Sequence, residues 1–581
     1  MSDHTSEESR PEKSPERSAP AGPDGPAGPA ARPQDPPPEP PGAVPEPPRI
    51  PAYAHQGGQQ RPPNPGQPRR TQAPAPARSL LRAAEPAAMR TATLWSVLAT
   101  AVLSASLLGD GLGPNLLIIA VPAALGAFFA ARAAGRRLRP WTAFWAVGGL
   151  ALLSVPALRD AGWPTFLAVV SAVAMGSLAL HGSRSWLGVF LGSIGLFGSI
   201  AGGLGWGGRG VRERTAASRG RLGVAFRATA VAVVLLIVFG TLFASADAAF
   251  ADVLGNLVPD VSVSSAPWRL FLFVLGLIGA LAAAYTAAAP VRWDGVTVGP
   301  GKSRGRLEWA LPLIVLDLLF AVFMAIQLTV LLGGYDKVMA ETDLSYSQYA
   351  RQGFWQLLWA TLLTLLVIAL ALRWAPRGRG SDRTLVRGVL GVLCLLTLVV
   401  VASALRRMDL YVDAYGLTRL RLSVAAMELW LGVVLVLIMA AGVFGARLLP
   451  RAVAASGAVA VLAFGLISPD GLIAEQNVQR YRQHHSIDID YLRGLSADAV
   501  PALDTLPEPL RSCALRDIER LLRDTDEPWY ATSWGEVRAR DILRKRALGD
   551  PAGACGSVRT GGEGGERGGD GDDQYDPYDP Y

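Results

Sequence analysis

The stretch LPLIVLDLLFAVFMAIQLTVLL, from Leu311 to Leu332, carries a single ionisable side chain, Asp317. A helix needs roughly 20 predominantly apolar residues to cross the ~30 Å hydrocarbon core of a bilayer, and this run is long enough. A lone carboxylate near its middle costs roughly 2.5 to 3.5 kcal/mol by insertion scales, so it needs a partner or a use. Gln327 lies within about 80° of Asp317 on a helical wheel, which gives one polar stripe facing the interior of a bundle.

About a dozen comparable runs of ~17 or more apolar residues fill the middle of the 581-residue chain, a pattern of membrane spans and not of soluble cores. They are Thr91 to Gly109, Asn115 to Ala131, Trp141 to Leu158, Trp163 to His181, Trp186 to Trp206 and Phe226 to Ser245. Trp268 to Ala288, Trp309 to Leu332, Phe354 to Trp374, Leu385 to Leu405, Ser423 to Gly445 and Ala452 to Ser468 follow. The net charge of +7 is carried by Arg, with Lys only at Lys13, Lys302, Lys337 and Lys545. These charges sit in loops between spans and not on one soluble face, which excludes a nucleic-acid surface.

Basic loops at Arg132 to Arg139, Arg209 to Arg227, Arg292 to Arg306, Arg373 to Arg387 and Arg447 to Arg451 mark the cytoplasmic side. Arg78, Arg82 and Arg90 put the N-terminus there too, so an even number of crossings must precede Arg209. Five runs precede it. Trp186 to Trp206 is the weakest, with Gly at 188, 192, 195, 198, 202, 203 and 205, each a loss of helix propensity. It is expected to be re-entrant or interfacial, with Gly188 and Gly192, and Gly198 and Gly202, packing closely on a neighbour. Eleven full spans remain, N-terminus in and C-terminus out. Arg406, Arg407, Arg419 and Arg421 then fall outside, against the charge rule, so inverted last spans are the alternative.

The fold class is therefore all-α: a polytopic helix bundle with a small helical C-terminal domain. Residues 1–88, rich in Pro, cannot bury enough apolar surface to order and form a cytoplasmic tail; residues 89–470 form the membrane domain. Residues 471–555 form the extracytoplasmic helical domain, and 556–581 a Gly, Asp and Tyr tail without order. Before Phe354, Tyr346 to Arg351 read as an amphipathic interfacial helix, and RRMDLYVDAYGLTRLRL from Arg406 as an interfacial loop stopped at Gly416. In the C-terminal domain IAEQNVQRYRQHH reads as a helix, Ser496 caps a short one, and Leu510, Ala514, Ile518 and Leu521 form one stripe. SWGE at Ser533 to Glu536 is a capping box.

Candidate sites are few. The intramembrane set is Asp317, Gln327 and Glu428, read either as a protonatable transport site or as polar glue between helices. Asp247, Asp252 and Glu308 lie at span ends, where water reaches them. Cys394 is a buried hydrophobe, whereas Cys513 and Cys555 are expected to form a disulfide if the domain lies in an oxidising compartment. His484, His485, Asp488 and Asp490 lack metal-ligand spacing and read as a helix end. Asp110, in the loop GDGLGPN, could serve a membrane transferase. No catalytic residue, metal or cofactor is called.

Three segments together resemble a known family: FASADAAFADVL from Phe243, YSQYARQGFWQLLWATLLTLL from Tyr346, and YVDAYGLTRLRL from Tyr411 with SPDGLIAEQNVQRY from Ser468. They resemble an actinobacterial multi-pass membrane family, domain of unknown function 4173, related to 4153, over roughly Phe226 to Leu495. The resemblance implies an integral membrane protein of no known activity. It draws attention to Tyr346, Tyr349, Arg351, Tyr415, Arg419, Arg421 and Asn477 as an outer-face site, with Tyr346 to Phe354 expected to act together with Asp317. The expected setting is the bacterial plasma membrane. The bilayer is the partner, with protein partners through the C-terminal domain or the N-terminal tail. The expected role is a non-enzymatic one in envelope assembly or sensing; a small-solute or ion transporter is the alternative and a membrane-embedded transferase the third.

Overall fold

The computed structural model describes residues 85–217, the single positions 232, 235, 239 and 243, and residues 266–296, 305–333, 346–374, 380–524 and 527–549. The side chains of 215–217, 266, 328–333 and 346–354 lie outside the description, as do residues 1–84 and 550–581, Asp247, Asp252 and most of the predicted span from Phe226.

The helices are α1 (Thr91–Leu107), α2 (Asn115–Ala133), α3 (Pro140–Leu152), α4 (Val155–Leu158), α5 (Gly162–His181), α6 (Trp186–Gly198), α7 (Ile200–Ala217) and α8 (Ala266–Ala288). Then come α9 (Arg306–Gly333), α10 (Tyr346–Trp374), α11 (Gly380–Tyr415), α12 (Arg419–Phe444) and α13 (Leu449–Leu466). The C-terminal domain adds α14 (Pro469–His484), α15 (Ile489–Arg493), α16 (Val500–Leu503), α17 (Leu510–Asp524) and α18 (Trp534–Lys545). Among the described residues nine segments are long and apolar enough to cross a membrane, α3 and α4 counting as one, and α1 is a shorter apolar helix. The chain is a multi-pass membrane protein by these helices.

Packing divides the bundle into three groups. α1, α2, α7 and α8 close round Trp206, Ala284 and Ala287; α3, α5, α6 and α13 round Trp145, Leu152 and Ala168; α9 to α12 round Ile368, Leu393 and Leu435. α13 also packs on α12 and so joins the second group to the third.

The two ends of the bundle are chemically distinct. At the basic end, Arg136 donates to the carbonyls of Ala287 (2.7 Å) and Leu180 (3.1 Å), and Arg451 to those of Ser183 (2.8 Å) and Gly182 (3.0 Å). These guanidinium groups satisfy helix C-terminal carbonyls that have no partner within their own helix. The other end carries the C-terminal domain.

The Gly-rich run is not one straight helix: α6 and α7 meet at Ser199 with a 46° bend. Both outer ends of this pair lie at the basic end. Ser185 and Gly188, opening α6, lie against Asp294 beyond α8; in α7, Trp206 donates to Ala87 (3.0 Å) and Arg214 to Met89, just ahead of α1. Gly192 fits against Ser183 and Gly202 against the Tyr285 ring, as close-packing glycines do, but Gly198 touches nothing.

Other local expectations are corrected. The segment from Arg406 is not separate from the preceding span: α11 continues unbroken to Tyr415 and stops, as expected, at Gly416, whose φ is +81°. Its last turns are apolar on one side: Met408 packs inside the third group, and Val412 against the core of the C-terminal domain. Tyr346 to Arg351 are the first turns of α10 and not a separate interfacial helix. Ser496 makes no side-chain cap; its Oγ is buried without a partner among the described residues. The SWGE capping box, by contrast, is formed in both directions.

Candidate functional site

The densest polar cluster joins the C-terminal domain to the bundle, and Asp470 is at its centre. Ser468 takes a left-handed conformation (φ +62°) ahead of Pro469, which starts α14 and presents Asp470 in its first turn. Arg419, opening α12, grips that carboxylate with two parallel hydrogen bonds, Nε to Oδ1 at 2.9 Å and Nη2 to Oδ2 at 2.6 Å. Trp163 of α5 donates to Oδ1 (3.3 Å) and the Ser496 backbone N–H to Oδ2 (2.9 Å). Asp470 is wholly buried. Burial pushes its carboxyl up, but the Arg419 pair and the two further donors outweigh that and hold it below the ordinary carboxylate range.

A second set adjoins it. The Asp160 backbone N–H donates to Asp498 (3.0 Å), and the Ala497 N–H donates to Asp160 (2.8 Å), a reciprocal pair across about 340 residues of chain. Gly535 lies so close to Asp498 that any Cβ there would collide with the carboxylate. Glu536 hydrogen-bonds Asp160; burial first, then the charge of Asp160, lifts its pKa to about 8. Asp498 is lifted to about 6, chiefly by burial.

The third set is the GDGLGPN loop. Buried Asn115 donates to Leu107 (2.6 Å) and Gly111 (2.8 Å), and its own N–H reaches the Tyr530 carbonyl (2.8 Å). The Tyr530 hydroxyl donates to Asp110 (2.8 Å), and Arg269 approaches the same carboxylate at 4.0 Å. Asp110 is thus engaged in docking the domain.

Several sequence candidates converge on this corner. Arg421 lies 4.3 Å over the Tyr411 ring and donates to the carbonyls of Tyr415 (3.2 Å) and Gly416 (2.5 Å). Asn477 donates to Leu417 and Ile473, each at 2.8 Å. Tyr415 contributes its carbonyl while its side chain is exposed. Tyr346, Tyr349 and Arg351 lie outside the described side chains, as does their expected link to Asp317. Sequence reasoning missed Asp470, Trp163, Asp160, Asp498, Glu536 and Tyr530. Only Asp470, in the quoted SPDG turn, and Glu536, in the SWGE capping box, had a local signal.

The intramembrane candidates do not form one site. α9 packs chiefly on α11 at the edge of the bundle, and Leu318 and Leu319 beside Asp317 are exposed. Of the predicted polar stripe, Gln327 lies 3.5 Å from the Ser403 hydroxyl on α11. Glu428 is wholly buried between α12 and α10, with Oε1 taking a 3.0 Å bond from Thr361 and Oε2 unpartnered among the described residues. Asp317 Oδ1 is likewise without a partner there. Among the described residues no group of three or more His, Cys, Asp or Glu is arranged to hold a metal ion. Cys513 is disulfide-bonded and Cys394 is free and buried.

A bundle of long apolar helices whose far loops are hydrogen-bonded to α14–α18 marks a multi-pass membrane protein. A family model described as Domain of unknown function (DUF4153) matches residues 147–506, more than half of the 581-residue chain, and the protein belongs to that family. The match is thus to 4153, and it extends beyond both limits of the resemblance read from the sequence. No curated protein and no solved structure matches the chain.

Proposed function

We propose that this protein is a non-enzymatic component of the bacterial envelope, an eleven-span plasma-membrane bundle that holds its helical domain, residues 471–555, rigidly outside the cell for assembly or sensing. The observation that carries the reading is the Arg419–Asp470 clasp, in which a buried two-bond ion pair is spent on joining domain to bundle. The end-to-end contacts support eleven crossings: the α6–α7 pair begins and ends at the basic end, while α8 starts beside Asp110 at the other. That basic end would be cytoplasmic, with the Pro-rich tail, and the 4173 branch of the family in actinobacteria remains the narrower assignment. Arg419, paired with Asp470, and Arg421, on the Tyr415 and Gly416 carbonyls, both serve the junction on the face where this reading puts them. In that oxidising setting Cys513 pairs with Cys555.

Protease applied to intact spheroplasts should remove the C-terminal domain while leaving the N-terminal tail; protection of the domain sinks the orientation. Arg419→Ala should reproduce the envelope phenotype of a deletion strain, and Asp317→Asn should not. A second reading, a small-solute or ion carrier, draws on the unpartnered oxygens of Asp317 and Glu428. For a carrier, Asp317→Asn abolishes proton- or cation-coupled uptake while the protein stays folded.

A further inference from the structure

α2 and α3 are consecutive antiparallel helices joined by a short loop, yet they do not pack substantially on one another. α2 lies on α1 and α8, and α3 on α5 and α13. Between them is an apolar groove of about 410 Å³, floored by α5 and α8. It exists because the side chains around it are small: Ala120, Ala124 and Ala127 on one wall, Gly149 on the other, Ala179 and Ala287 beneath.

Charge is confined to one mouth. Arg132, Arg136 and Arg137 line the groove at the basic end, and no acidic residue lines it anywhere. Arg136 is occupied with the carbonyls of Ala287 and Leu180. Arg132 and Arg137 are exposed, and among the described residues neither is paired with a carboxylate. From Ala120 to Arg132 the α2 wall rises ~18 Å at ~1.5 Å per residue, against ~15 Å for half of a ~30 Å hydrocarbon core. The groove is therefore one leaflet deep, apolar along its length and cationic at headgroup level. A larger cavity of about 590 Å³, between α5, α6, α12 and α13, has no charged side chain in its lining and lacks this polarity.

We infer that this groove binds one anionic phospholipid, an acyl chain lying along the alanine wall and the phosphodiester on Arg132 and Arg137. Guanidinium groups suit a phosphate geometrically, and basic pockets between spans at the cytoplasmic side select anionic headgroups. The inference rests on the membrane reading above.

The test uses the full-length protein in detergent, exposed to equal amounts of phosphatidylglycerol and phosphatidylcholine of one chain length, with retained lipid counted by native mass spectrometry. The native protein should retain one phosphatidylglycerol. The R132A/R137A double variant should lower the preference for phosphatidylglycerol about tenfold or more, R132K/R137K should keep most of it, and Ala124→Phe should block retention of either lipid. Inorganic phosphate should not compete. Equal retention of the two lipids, an unchanged preference in R132A/R137A, or undiminished retention in the Ala124→Phe variant overturns the inference. A protein that stays soluble without detergent refutes the membrane reading instead, so the two failures are distinguishable.

Discussion

Arginine does different work at the two ends of the bundle. At the basic end Arg136 and Arg451 close on backbone carbonyls, and the charge itself meets few acids. At the domain end Arg159, Arg421 and Arg480 also cap carbonyls, but Arg419 is matched to a buried carboxylate, with Asp160, Asp498 and Glu536 alongside. An arginine on a carbonyl keeps its positive charge in the balance that orients a chain. At Arg419 the charge serves the folded junction, a use that a count of positive residues along the sequence does not reveal.

The sharpest way to break this contrast is Arg419→Ala, which leaves the buried Asp470 carboxylate without its cation, held only by Trp163 and the Ser496 N–H. A loss of about 3 to 5 kcal/mol is expected, seen as a large drop in thermal unfolding midpoint and as faster proteolysis after Ser468. Arg419→Lys should recover only part of it, since a point charge cannot make the paired bonds.

Changing pH should also separate the ends. Glu536 titrates near 4.5 when unfolded and near 8 in place, and Asp498 moves from 3.8 to about 6, both raised by burial first. A raised acid binds more protons when folded, so its stabilisation is full below the unfolded pKa and is lost as pH rises through the folded one. Asp470 is shifted the other way, so its contribution fails only in stronger acid. Docking of the domain should thus be tightest in mild acid and weaken toward pH 8, by up to about 1.4 kcal/mol per pH unit for each proton. Asp160, Glu527, Arg159 and Arg540 are the other charges that face these groups. Glu536→Gln should flatten the profile, which unfolding midpoints across pH 5 to 8.5 would report; an unchanged slope refutes the assignment.

At the basic end, Arg136→Ala removes two charged hydrogen bonds to helix carbonyls, a loss of roughly 1.5 to 3 kcal/mol without pH dependence. Ser533→Ala, which deletes one arm of the capping box, should cost least, about 1 kcal/mol, by the same unfolding measurement.

Much of the bundle was legible because bilayer thickness fixes span length: α2, α5, α8 and α13 lie within a few residues of their apolar runs. SWGE was legible for the same kind of reason, since its whole geometry is local. The stop at Gly416 was legible too, but not that α11 runs unbroken into it, because Arg406 and Asp409 resemble a loop until one sees the i,i+3 pair they form and the helices packed on Val412. The junction was the least legible part. Arg419, Arg421 and Asn477 were singled out, but their setting depends on Trp163 and Asp160, hundreds of residues earlier, and no local period encodes such partners.

The clasp has a consequence for the order in which the molecule can be made. Its early partners, Asp110, Asp160 and Trp163, emerge long before Asp498, Tyr530 and Asp470 leave the ribosome. Until then the early helices sit with open polar ends, and a chain halted at Ser468 never closes them. The early loops therefore gain these hydrogen-bond partners only after residues 470–530 have been made.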